Sequence, residues 1–100
     1  MSGEIHFSQA SGIATLSLSN PDKLNAVDAD MWRALQARMS TLNADPEVRC
    51  VILRGAGDKA FAAGGDIEEF LVVRATVDDA LHYHEELVAA ALDAIRACPV

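Results

Sequence analysis

Apolar and polar residues alternate early in the chain. Ala14, Leu16 and Leu18 share one parity and Ile13, Thr15 and Ser17 the other, which predicts a strand over Ile13 to Leu18 with one face toward a core. Ile5 to Gln9 is a second extended segment, and Ala10-Ser11-Gly12 between them completes a predicted β-hairpin. Ser19-Asn20-Pro21-Asp22 ends the second strand, because Asn and Asp bond their own backbone and Pro21 forbids strand continuation. The period then changes. Met31, Leu35, Met39 and Leu42 recur at helical spacing on one stripe, predicting a helix capped by Asp28 or Asp30 and running through Asn43, where Ala44-Asp45-Pro46 breaks it.

Cys50-Val51-Ile52-Leu53 is a short apolar run between Arg49 and Arg54, and it predicts a strand buried on both faces. Strand, helix, strand in this order predicts an α/β organisation in which a helix crosses between neighbouring strands. Gly55-Ala56-Gly57 reads as a loop, and Ile67 to Val73 as the first part of a helix. Thr76-Val77-Asp78-Asp79 is a variant capping box, with Asp79 in place of the usual Glu or Gln. From there Leu81, His84, Val88, Ala91, Leu92 and Ile95 predict one apolar helix face reaching about Ala97, with Pro99 closing the helix. No internal repeat or linker divides the chain, so a single domain or a piece of one is expected.

Composition narrows the partners. Half the residues are apolar, yet the net charge is -7 and the pI is about 4.7, which argues against nucleic acid or an anionic membrane as the main partner. An anionic ligand must therefore be held by local geometry. Cys50 and Cys98 read as isolated, inert core thiols and not as a disulfide framework. With no run of eighteen apolar residues and no leader-like opening, the expected compartment is cytoplasmic.

The segment Ala60 to Phe70, "AFAAGGDIEEF", raises the question of chemistry. A helix opening near Ile67 leaves its first N–H groups unpaired and pointing outward, and Gly64 and Gly65 remove the side chains that would block approach. One reading is a plain strand-to-helix turn with Asp66 as the cap. The other is an oxyanion hole, in which losing one backbone donor raises a barrier by roughly 3 to 4 kcal/mol. Local pattern leaves both open.

Two blocks bear on the choice. "NPDKLNAVDADMW" at Asn20 to Trp32 and "VILRGAGDKAFAAGGDIEEF" at Val51 to Phe70 closely resemble the N-terminal half of the crotonase superfamily, the enoyl-CoA hydratases, isomerases and related acyl-CoA enzymes. The resemblance implies a β-β-α spiral fold, a CoA thioester bound in a groove, and two backbone amides that hold the thioester oxygen as an enolate forms. The first amide corresponds to Gly65. Ala63 matches the position whose backbone approaches adenine; Lys23, Leu24 and Ala26 match the segment lining the pantetheine and phosphates; Asp66 and Ile67 sit where the acyl pocket closes, as cap and wall. No separate cofactor is implied, since coenzyme A is part of the substrate. The resemblance further implies a homotrimer or a dimer of trimers.

Departures matter as much as matches. Gly65 replaces the alanine common in hydratases, and Gly-Gly-Asp also occurs in 3-hydroxyacyl-CoA hydrolases, so the reaction is less defined than the family. The second amide and the acid and base glutamates of the hydratases correspond to positions beyond Val100. Glu68, Glu69, Glu85 and Glu86 read as solvated helix residues, not substitutes. The leading expectation is hydration of a 2-enoyl-CoA; an isomerase, a 3-hydroxyacyl-CoA hydrolase, a non-catalytic CoA-binding module and a purely structural α/β piece are the alternatives.

Several other signals are set aside. Gly55-Ala56-Gly57 lacks the third glycine of a dinucleotide fingerprint. His82 and His84 point to different helix faces, which disfavours a metal, while His82 can pair with Glu86 one turn on. Trp32 reads as a packing anchor.

Overall fold

The computed structural model describes residues 3–64 and 77–100. Strands β1 (Glu4–Ala10) and β2 (Ile13–Ser19) form the predicted antiparallel hairpin, with Ala10 opposite Ile13 and Glu4 opposite Ser19. The turn is Ser11-Gly12 alone, and both residues have positive φ (53° and 82°), as a type I′ turn requires to match the twist of its strands. The Gly12 carbonyl then accepts from the N–H groups of Arg49 (2.7 Å) and Cys50 (3.2 Å), which pins the start of β3 (Cys50–Gly55) beside the hairpin. β3 pairs parallel to β2, giving the order β1-β2-β3.

Between those parallel strands runs α1 (Ala29–Asn43). Asp28 caps it: one carboxylate oxygen accepts from Met31 N–H at 2.8 Å, and the other from Gly3 N–H at 2.6 Å, so the same side chain ties the helix start to the N-terminal segment. The predicted stripe is the buried one. Met31, Leu35, Met39 and Leu42 are all in the core, packed with Ala14, Leu16 and Leu18 from the predicted inner face of β2. Replacing Asp28 with alanine should lower stability by about 1–2 kcal/mol through the lost cap. The check is a fall in urea midpoint at unchanged slope.

A second helical stretch covers α1. α2 (Val77–His82) continues through a π-helical segment (Tyr83–Val88) into α3 (Ala89–Arg96). Among the described residues Tyr83, Leu87 and Ala91 are buried and Val88 and Ile95 pack half-buried against the core, so Ala91, Val88 and Ile95 of the predicted stripe turn inward, whereas Leu81 and Leu92 are exposed, which corrects the stripe at those two positions. The π segment is the physical reason: bonding from i to i+5 widens the turn and rotates the next face of the helix. Trp32 is the joint of the structure, packing against three clusters of buried residues and donating from Nε1 to the Tyr83 hydroxyl at 3.1 Å. His82 and Glu86 do pair, at 3.1 Å on the exposed side.

β3 also departs from expectation. Cys50, Ile52 and Arg54 are exposed and only Val51 and Leu53 turn inward, because among the described residues helices cover one face of the sheet. Cys50 is therefore a surface thiol and not a core one. Among the described residues no helix is long and apolar enough to cross a membrane.

Candidate functional site

Two parallel strands that end side by side deliver their outgoing loops to the same place. Leu18 of β2 is the register partner of Gly55 of β3, so the loops 20–28 and 56–64 leave the sheet together at its carboxyl end, where open α/β sheets bind ligands. The Leu18 carbonyl accepts from Ala56 N–H at 2.8 Å and starts the second loop against the first strand.

The first loop is built on two asparagines. Asn20 carbonyl accepts from the N–H groups of Lys23 (3.0 Å) and Asn25 (2.9 Å) around a short 3-10 turn (Pro21–Lys23), and Asn20 Nδ2 donates to the Ala26 carbonyl at 2.8 Å. Leu24 and Asn25 both have left-handed backbone, φ 51° and 61°, at a cost of order 1–2 kcal/mol each for a non-glycine residue. Asn25 compensates through its side chain. Oδ1 accepts from Asn20 N–H at 2.9 Å, and Nδ2 donates to the carbonyls of Ala56 (3.0 Å) and Ala60 (2.9 Å) on the second loop.

The second loop folds back on its own beginning. A Cβ on Gly55 would collide with the Ala60 carbonyl oxygen and lie 2.6 Å from Phe61 Cα, so only glycine fits beneath the loop. Arg54 braces it from outside, donating to the carbonyls of Gly55 and Gly57 at 3.1 Å each. Further along, the Gly64 carbonyl accepts from Val27 N–H at 2.8 Å, joining the loops a second time; Gly64 itself has φ 86°.

Between the loops lies a cavity of about 290 Å³, with Ser19, Pro21, Leu24 and Asn25 on one wall and Ala56 to Ala60 on the other. An apolar hollow of about 260 Å³ adjoins the same second loop, lined by Phe61, Ala62 and Gly64 together with Leu18, Val27, Trp32 and Leu53 from the core side. The loop 56–64 thus contributes to a mixed cavity at one end and an apolar one at the other. Both lysines of the chain, Lys23 and Lys59, stand on these two loops, in a protein whose net charge is -7. They stand beside Asp22 and Asp58 on the same loops, so each supplies a point cation and not a net positive field.

Of the site residues read from sequence, Leu24 lines the cavity and is 53% exposed. Lys23 is half-buried at the end of the 3-10 turn, Ala26 is buried with its carbonyl held by Asn20, and Ala63 is exposed between Ala62 and Gly64. Gly65, Asp66 and Ile67 lie outside the described residues, as do the predicted helix Ile67 to Val73 and the capping Thr76. Sequence reasoning missed Asn25 and Lys59. Asn25 looks like one more turn asparagine, and Lys59 like a solvated loop lysine; nothing local announces that they face one cavity.

Comparison with known proteins places this arrangement. The family model described as enoyl-CoA hydratase/isomerase matches residues 13–92. The chain is 38% identical over 65 residues to the mitochondrial 3-hydroxyisobutyryl-CoA hydrolase of Xenopus tropicalis, covering 65% of this chain and 17% of the relative. It is 39% identical over 57 residues to the short-chain-enoyl-CoA hydratase of Clostridium acetobutylicum, covering 57% of this chain and 22% of the relative. A crystal structure of an enoyl-CoA hydratase/carnithine racemase from Magnetospirillum magneticum superposes with TM-score 0.90 and 46% identity, over 95% of this chain and 35% of that one. The chain therefore spans about a fifth of the length of the curated relatives it matches and about a third of the solved one. On its matched segment, its fold and its paired loops, the chain belongs to the enoyl-CoA hydratase/isomerase family, within the crotonase superfamily that its two sequence blocks resemble.

Proposed function

We propose that the protein acts on an acyl-CoA thioester and adds water across a 2-enoyl-CoA. The observation that carries this reading is the cavity between the two loops, walled by apolar Pro21 and Leu24 and by the backbone of 56–60, with both lysines on its loops. A CoA handle is long, thin and anionic. Small residues at Ala56, Gly57 and Ala60 leave room for it, and Lys59 and Lys23 supply charge for its phosphates. The apolar hollow beside Phe61 to Gly64 is a suitable environment for an acyl group at the far end of the same loop.

Hydration places negative charge on the thioester oxygen when water adds at Cβ and the enolate forms. Backbone N–H groups aimed at that oxygen stabilise it without reorganising, and the proposed first donor is Gly65, the residue after Gly64. Glu85 and Glu86 are exposed, and Glu86 is paired with His82, so neither is assigned as acid or base. A homotrimer or dimer of trimers is the proposed assembly, supported by the family alone.

A second reading has its own support. The Gly64-Gly65-Asp66 sequence and the likeness to 3-hydroxyisobutyryl-CoA hydrolases favour thioester hydrolysis as the alternative. Product analysis with 2-enoyl-, 3-enoyl- and 3-hydroxyacyl-CoA separates the possibilities. The expected result is 3-hydroxyacyl-CoA from the 2-enoyl substrate. Free CoA released from the 3-hydroxyacyl substrate would replace hydration by hydrolysis, and a shifted double bond from the 3-enoyl substrate would make it an isomerase. Saturable CoA binding with no turnover of any thioester would leave a binding module.

A further inference from the structure

We propose that Asn25 is a positioning residue that sets the separation of the two cavity walls and, through it, the affinity for the CoA part of a thioester; the second half of this inference rests on the acyl-CoA reading. Asn25 is 5% exposed and its side chain is almost fully used. Its one carbonyl oxygen takes the Asn20 N–H, and its two amide hydrogens go to the carbonyls of Ala56 and Ala60. The amide orientation is set by those partners, since only Nδ2 can face two carbonyl oxygens.

The partners bracket the walls. Asn20 and Asn25 are the two ends of the turn that carries Pro21 and Leu24, and Ala56 and Ala60 are the two ends of the loop that carries Gly57, Asp58 and Lys59. One side chain therefore holds the base of each wall, and it does so through backbone atoms, whose positions no rotamer change can alter. Leu24, held left-handed beside it, keeps an apolar side chain at the cavity instead of packing it into the core. Asparagine suits this place twice, because it tolerates left-handed backbone and supplies donors and an acceptor together.

The test compares Asn25→Asp and Asn25→Ala in the full-length protein with Val48→Ala, a core truncation away from the cavity chosen to lower stability comparably. Asn25→Asp keeps the size and the acceptor but turns an oxygen toward two carbonyls. Two quantities are read well below the unfolding temperature: the rate of trypsin cleavage after Lys59, and the Kd for CoA by calorimetry. Both Asn25 variants should raise each by at least about tenfold, as expected when buried polar partners lose their match, while Val48→Ala leaves both unchanged. Unchanged cleavage in Asn25→Asp, or equal acceleration in Val48→Ala, overturns the positioning role. Faster cleavage with an unchanged Kd overturns the link to affinity. Faster cleavage in a protein whose unaltered form binds no CoA leaves the clasp standing and removes the acyl-CoA reading instead. If neither variant folds, hydrogen exchange on the unaltered protein decides: the Asn20 N–H must exchange slowly, and rapid exchange overturns the clasp.

Discussion

Gly55→Ala should destabilise the protein by roughly 3 kcal/mol, more than any other single glycine-to-alanine change in the described loops. The added methyl has nowhere to go. It meets the carbonyl oxygen of Ala60 and the backbone of Phe61, neither of which can rotate away as a flexible side chain would. Because Ala60 is also a partner of Asn25, relief by moving the loop must stretch a buried hydrogen bond as well. Gly57→Ala is the internal comparison. Its φ of 76° carries a strain of about 1–2 kcal/mol, but a Cβ there meets nothing within 4 Å. Urea denaturation of both variants should rank Gly55→Ala below Gly57→Ala. The reverse order would mean that loop 56–61 folds back onto β3 less tightly than the Gly55 contacts require.

The second large effect concerns chemistry and rests on the proposed role of Gly65. Proline at position 65 removes the one N–H assigned to the thioester oxygen, so Gly65→Pro is expected to lower kcat by about 10²–10³ with a smaller change in KM. Gly65→Ala keeps the N–H and should retain most of the rate. Circular dichroism establishes that the variant is folded, and steady-state kinetics on a 2-enoyl-CoA gives the comparison. Turnover near the unaltered rate in a folded Gly65→Pro protein would remove Gly65 from the oxyanion role, leaving Gly64-Gly65 as the plain turn that local pattern also allows.

What is legible in the sequence and what is not separates along the length scale of the interactions. Asp28 as a cap and the stripe Met31, Leu35, Met39 and Leu42 are legible because a helix repeats within a few residues and its cap acts three residues away. The hairpin is legible for the same reason, from alternation on β2 and the short connection Ala10-Ser11-Gly12, which the structure trims to Ser11-Gly12 by pairing Ala10 with Ile13. The one-faced burial of β3 is not. An apolar run such as Cys50 to Leu53 looks the same whether one or both faces are covered, and only the surrounding layers decide. The last helix misleads for a subtler reason: counting forward from Leu81 assumes one helical period, and the π segment at Tyr83–Val88 changes it midway.

The candidate site divides in the same way. "NPDKLNAVDADMW" and "AFAAGGDIEEF" carry the family and Leu24 of the cavity, since glycines, turn residues and small side chains leave a pattern that local sequence preserves. The clasp does not show, because Asn25 reaches across 31 residues to Ala56 and 35 to Ala60, and Lys59 lines the same cavity on the loop that those bonds hold. By itself the sequence determined the hairpin, the capped helix and the order strand-helix-strand, all properties of short-range periodicity and chemistry, while the family came from the resemblance of its two blocks. Tertiary structure alone decided which loops meet, why Gly55 can be nothing larger and what Asn25 holds, because those are contacts between segments that local pattern cannot bring together.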